Sequence, residues 1–388
     1  LLRVVVLCLL LLCSLGLWWI LSVSTRKRVP LFYRNDPASM PPGPAPDPTS
    51  MPPGPAPMPP GPAPGPAMPP GRPAIFRLAP ENGNKTSEQV VSLLPEYSSI
   101  PFSRFMGKGE DEEWVFELHN YLSTLNKSVS PHVNMVFGDY KHSRLVLNWI
   151  TAAVNVIQPP LHNVLVLSLD NRLCDLIASR TLPVACVVVA GNTLFDNGPL
   201  TDPWKKGLMV RNVILRVMNY WGYDVASYDS DAVLLKNPQV LYDERPHIHL
   251  FSSAGTYPFD LSREWGFTLC AGTVMLKASS AIESLWRHIS SLSELDEQFT
   301  LNSALLQMNS VWPEKTPVNK MCTNKEGWEG RGEDDIRIYV FPPQVFCRAG
   351  CCKPTMSRNT LYNAHPIGSK TELGEKEAVL KRMKAWFL

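Results

Sequence analysis

The sequence predicts an α/β domain, a sheet with helices on its faces, set behind a front segment that cannot pack into a core. Three observations carry this. Short runs that are apolar throughout, such as Asn163–Leu169 and Val184–Val189, alternate with helical patterns, as in a parallel sheet covered on both sides. An acidic triplet, Asp229-Ser230-Asp231, interrupts an apolar run where a strand would end. Residues Pro37 to Pro73 hold 18 of the 37 prolines.

In chain order, Val4 to Val23 is free of charge and long enough to cross a bilayer of ~30 Å. Arg26-Lys27-Arg28 follows it, and residues 1–28 are expected to be an uncleaved anchor rather than a cleaved signal peptide, whose apolar core is shorter. The basic cluster argues for a cytosolic downstream side, whereas the sequons Asn84-Lys-Thr86 and Asn126-Lys-Ser128 argue for a luminal one. Residues 29–91 form a stem in which Met-Pro-Pro-Gly-Pro-Ala-Pro recurs at Met40, Met51 and Met58, extended at ~3.1 Å per residue. Glycine does not fall at every third position, which excludes collagen.

Order is expected from residue 92 to 388. His132–Phe137 reads as a first strand, followed by a helix from Lys141 to Val156 with Leu145, Val146, Trp149 and Ala153 on one face. Asp170 can cap the next helix, and Trp204–Trp221 forms a longer one that Gly222 ends. Arg211 and Arg216 lie on it, where either a bound phosphate or, more simply, solvent accounts for them. Further strands are expected at His247–Phe251, Thr268–Lys277 and Ile336–Phe341, and helices at Ser279–Leu292 and from Asp296. A net charge of +2 with dispersed basic residues excludes a nucleic-acid groove. Seven of the nine cysteines lie beyond the front segment, without a Cys-x-x-Cys pair, so disulfides are expected rather than zinc, with at least one cysteine left over.

Asp229 and Asp231, two apart on an extended segment, would point to one face and could share a hard cation at a strand's carboxyl end. Burying such acids without a cation or donors is costly. The ordered set Gly222-Tyr-Asp-Val-x-x-x-Asp229-x-Asp231 with Leu235-Lys-Asn-Pro238, Cys270-Ala-Gly-Thr-Val-Met-Leu276, Glu297-Gln298-x-x-x-Asn302 and His365-x-x-Gly368-x-Lys370 resembles the nucleotide-diphospho-sugar transferase domain family. That family includes plant pectin xylosyltransferases and arabinosyltransferases.

The resemblance implies a GT-A fold, a Rossmann-like mixed sheet flanked by helices. It implies Mn²⁺ or Mg²⁺ held by Asp229, Asp231 and His365. Arg211, Ser230, Ala271, Gly272, Gly368 and Lys370 would bind the donor, and Asp296, Glu297 and Gln298 would line the reacting side. The activity implied is retaining transfer of a sugar, from UDP or another nucleotide diphosphate, to a glycan or glycoprotein hydroxyl in the Golgi lumen. Two rival readings remain open. Asp229-Ser-Asp-Ala-Val233 fits phosphatases that form an aspartyl phosphate. A catalytically silent protein of the same fold would bind glycans or partners without donor turnover.

Overall fold

In the computed structural model, the described residues are 113–125, 132–189, 203–292, 296–313, 318–348, 350–357, 360–366, 368 and 372–388. The expected anchor (1–28), the stem (29–91), both sequons and Lys370 lie outside them, as does the expected start of order near residue 92. Among the described residues no helix is long and apolar enough to cross a membrane.

The chain opens with α1 (Glu113–Ser123) and β1 (His132–Gly138). The helix expected over 141–156 divides into a 3-10 turn at Tyr140–His142, α2 (Ser143–Thr151) and a π-helical turn at Ala152–Val156. Then come β2 (Val164–Ser168), α3 (Asn171–Ser179), capped by the Asp170 side chain on Leu173 N–H, and β3 (Ala185–Val188). Next are α4 (Pro203–Tyr220), β4 (Asp224–Asp229), β5 (Val233–Leu234) and α5 (Gln239–Asp243). Gly222, at φ +80°, makes the turn from α4 into β4. The next strand, β6 (Leu250–Gly255), starts later than the expected His247, and α6 (Phe259–Trp265), β7 (Thr268–Leu276), α7 (Ser280–Ser291) and α8 (Glu297–Gln307) follow. The chain closes with β8 (Trp328–Arg331), β9 (Arg337–Phe341), β10 (Phe346–Arg348), β11 (Asn363–His365) and α9 (Leu373–Arg382).

The main sheet runs β3-β2-β1-β4-β7-β6-β9-β8, and β10-β11-β5 forms a small second sheet. Strands β3, β2, β1 and β4 are mutually parallel, as the apolar runs predicted. The sheet as a whole is mixed, because β7 runs antiparallel to both β4 and β6. Consequently β4 and β6 point the same way and deliver their carboxyl ends to one edge.

Strand side chains alternate between two cores. Val133, Met135, Leu165, Leu167 and Val225 pack beneath α4, α7 and α8, whereas Val136, Val164, Val166, Ala226 and Tyr228 pack beneath α2, α3 and α5. A third cluster, with Val233, Ala364, Leu145 and Leu380, docks α9 against the small sheet. Six of the cysteines pair as Cys174–Cys186, Cys322–Cys351 and Cys347–Cys352, and buried Cys270 stays free.

Because β4 ends at Asp229, the first residues of β7 have no strand partner on that side among the described residues. Buried Asn302 of α8 takes the place of one: its Oδ1 accepts from Leu269 N–H and its Nδ2 donates to Leu269 O, both at 2.8 Å. Asn302→Leu is therefore expected to strand a buried donor and acceptor and to lower stability by about 2–3 kcal/mol in urea denaturation. An unchanged midpoint would contradict this account of the motif's asparagine.

Candidate functional site

The site forms where β4 ends. Ala232 N–H donates to Asp229 O across 2.9 Å, closing a four-residue turn, so Asp231 lies in a turn and not on the extended segment expected from its spacing. The turn is held from two sides: Trp149 Nε1 of α2 donates to Ala232 O at 3.1 Å, and Asn363 Nδ2 of β11 at 2.9 Å. Strand β11 pairs antiparallel with β5, the strand that leaves this turn, and so brings His365 against the acids. His365 Nε2 is 3.1 Å from Asp231 Oδ1 and 3.6 Å from Asp229 Oδ2. One ligand atom from each of the three residues lies within 4.8 Å of the other two.

Glycine at 272 is required by this convergence. A Cβ there would fall on Asp229 Oδ2 and lie 2.6 Å from His365 Cε1. Ala271, next to it in sequence, and Ser230, between the two acids, are buried, and Gly368 is exposed.

Among the described residues, four cationic or polar groups surround the triad. Arg211 donates to Asp229 Oδ1 at 2.7 Å and grips Glu297 through both Nε and a terminal nitrogen. It is 1% exposed, so the solvated-face role suggested by its helix position does not hold. Arg216 is buried too, and binds Glu283 and Ser290; it has no part in the triad. Lys376 of α9 places Nζ 2.7 Å from Asp231 Oδ2, and Arg348 of β10 lies 2.9 Å from His365 Nε2. Cys270 Sγ sits 3.9 Å from His365 Nδ1.

Among the acids expected on the reacting side, Glu297 joins the cluster through Arg211. Asp296 caps α8 by accepting from Phe299 N–H and also accepts from Tyr257 OH, while Gln298 Nε2 donates to Tyr257 O. Sequence reading missed Lys376 and Arg348. Neither stands in a local pattern that marks it, since Lys376 acts 145 residues from its partner.

The electrostatics follow from burial. Desolvation opposes ionisation of Asp231, but His365 and Lys376 outweigh it and hold the carboxyl well below its usual range. Asp229 is likewise lowered by Arg211 and His365 against burial and the charge of Asp231. Burial and Arg348 push His365 down, yet its contact with Asp231 prevails and raises it to about 9. Burial, with the Asp229 charge, pushes Glu297 up to about 7 despite Arg211. Burial would raise the Cys270 thiol, but Arg348 and His365 bring it to about 7.

Two carboxylates and one imidazole converging beside a bare glycine backbone suit a divalent ion of the Mg²⁺ and Mn²⁺ type. The soft sulfur of Cys270 faces the other ring nitrogen. The donor set therefore fits the metal that the resemblance implies.

Residues 160–368 match the nucleotide-diphospho-sugar transferase family. The chain belongs to that family. Among solved structures, this chain is similar to the apo bifunctional glycosyltransferase WbbM, at 10% identity over 63% of this chain and 47% of that one, TM-score 0.41. It thus spans about half of WbbM's length. It is also similar to the galactosyltransferase LgtC in complex with donor and acceptor sugar analogs, at 12% identity over 45% of this chain and 70% of LgtC, TM-score 0.34. A third is apo mouse xyloside xylosyltransferase 1, at 11% identity over 46% of this chain and 74% of that chain, TM-score 0.30. No curated protein matches the sequence.

Proposed function

We propose that this chain is a divalent-metal-dependent transferase of the Asp-x-Asp type. It moves a sugar, with retention of anomeric configuration, from a UDP donor to a hydroxyl of a glycan or glycoprotein. The observation that carries the reading is the convergence of Asp229, Asp231 and His365 at the carboxyl edge of the sheet, where open α/β sheets bind ligands. These three residues would hold Mn²⁺ or Mg²⁺, which when bound acts as a Lewis acid toward the departing diphosphate.

The chain's own groups do the rest. Arg211 fixes the rotamer of Asp229, so that one carboxylate oxygen is spent on the guanidinium and the other faces His365. Lys376 adds a cation at Asp231, the kind of group that offsets charge on a leaving phosphate. Gly272, having no Cβ, leaves the room over the strand backbone in which Asp229 and His365 converge. Asp296, Glu297 and Gln298, at the amino end of α8, border the same edge on the acceptor's side. The two carboxylates of Asp229 and Asp231 are each paired with a cation, which suits ligand duty better than service as a nucleophile.

Three disulfides favour an oxidising compartment, which supports the reading of a luminal catalytic domain; the proposal is a single-pass type II protein of the Golgi.

The test is UDP binding by the intact chain with and without Mn²⁺. Binding is expected to require the metal and to weaken at least tenfold in Asp231→Asn. Metal-independent binding, or equal binding by the variant, would overturn the reading. Release of phosphate from an aryl phosphate would favour the phosphatase instead.

A further inference from the structure

The loop that follows β6 leaves the sheet at the same edge as Asp229, since β4 and β6 both lie antiparallel to the β7 strand between them. Tyr257 on this loop is 46% exposed, and Phe259, the first residue of α6, is 51% exposed. Their rings meet edge to face, with centroids 6.4 Å apart and planes at 87°. An isolated exposed ring is ordinary, but a pair held in fixed geometry beside a ligand edge is not.

The loop is pinned by three bonds. Tyr257 O accepts from Thr268 Oγ1 at 2.6 Å and from Gln298 Nε2, and the Tyr257 hydroxyl donates to Asp296 Oδ2 at 3.3 Å. Gln298 and Asp296 belong to the same turn of chain as Glu297, which Arg211 ties to Asp229. The ring pair is thereby coupled to the donor site through rigid elements, and its exposure is not that of a loose loop. Thr268, which holds this loop, and Gly272, beside the triad, stand four residues apart on the same strand, β7.

We propose that Tyr257 and Phe259 form a stacking subsite for a neutral oligosaccharide acceptor. The inference rests on the transferase reading above and adds where the acceptor lies. The chemistry is complementary: the C–H face of a pyranose packs on the electron-rich face of an aromatic ring, and the hydroxyls on its rim find the Asp296 carboxylate and the Gln298 amide. The Asp296 carboxylate beside Tyr257 and exposed Asp260 one residue beyond Phe259 disfavour an anionic partner such as a phosphorylated or uronic-acid chain. Because Tyr257 is anchored before any ligand arrives, little ordering is left for binding to cost.

The test uses the intact chain and a panel of neutral disaccharides: xylobiose, cellobiose, lactose and galactobiose. Saturation-transfer NMR is run with and without UDP and Mn²⁺, on the unsubstituted chain and on Y257A/F259A. At least one disaccharide is expected to bind with saturation concentrated on the C–H protons of one ring face, and the double variant should weaken it at least tenfold. Phe259→Ala alone provides the same comparison should the double variant unfold, and Tyr257→Phe should retain most of the binding because the ring remains. Failure of all four sugars to bind the unsubstituted chain, or equal binding by the variants, overturns the subsite. Failure of UDP to bind in the presence of Mn²⁺ is a separate result and counts against the donor site, not against the aromatic pair.

Discussion

Arg211→Met is expected to cost about 3–5 kcal/mol of stability, because it removes the shared partner of two acids in the protein interior. Arg211 is 1% exposed and binds both Asp229 and Glu297. Methionine fills a similar volume without charge, so the loss is electrostatic rather than steric. Glu297, already pushed up to about 7 by burial, can take a proton near neutrality and soften the penalty. Asp229, lowered by Arg211 and His365, yields its charge less readily. Chemical denaturation of Arg211→Met, Glu297→Gln and the double variant gives the coupling directly. The double variant should recover more than 1 kcal/mol relative to the sum of the two single changes, whereas additivity within about 0.5 kcal/mol would show that the groups do not form one unit. Arg211→Lys is expected to rescue poorly, since an ammonium cannot fork between two carboxylates as a guanidinium does.

Mn²⁺ affinity is expected to rise about 10²-fold between pH 6.5 and pH 9. The direction follows from His365. Its folded value, about 9, lies above its ordinary value of 6.5, so the folded site favours the imidazolium. That preference contributes about 3 kcal/mol to stability, fully present below pH 6.5 and lost as pH rises through 9. A metal ligand must give up this proton, so metal binding runs opposite: weak at low pH and stronger by up to tenfold per unit until the imidazole is neutral. Asp229 and Asp231 do not alter the trend, because both are held below their usual range and stay ionised throughout. Calorimetric Mn²⁺ titrations at pH 6.5, 7.5 and 8.5, in buffers of different ionisation enthalpy, should report release of close to one proton at the lower pH. Flat affinity with no proton release would remove His365 from the ligand set.

Much of the site was legible because its signals are local. Asp229 and Asp231 stand two apart at the end of an apolar run, and their neighbours mark the strand's end. Asp296 announces its helix because capping involves a side chain and a backbone N–H three residues on. The same locality explains Asp170, which caps α3 as expected, and Ser279, expected as the first helical residue and found to cap α7. Arg211 was legible as a residue and misleading as an environment. Its helix carries apolar residues on more than one side, so periodicity alone does not reveal that its guanidinium turns inward.

From its sequence alone, this chain determined the alternating strand and helix order, the parallel arm of the sheet, the position of the acidic pair and the family to which it belongs. Only the tertiary structure decided which distant groups complete that pair: Lys376 from the terminal helix, Arg348 from a short strand of the second sheet, and buried Cys270 behind the His365 ring. Backbone preference and hydrophobic period act over a few neighbouring residues, and they write themselves into the sequence. Charge pairing in a buried site depends on which elements the packed core brings into contact, and that is set by the whole sheet rather than by any stretch of it.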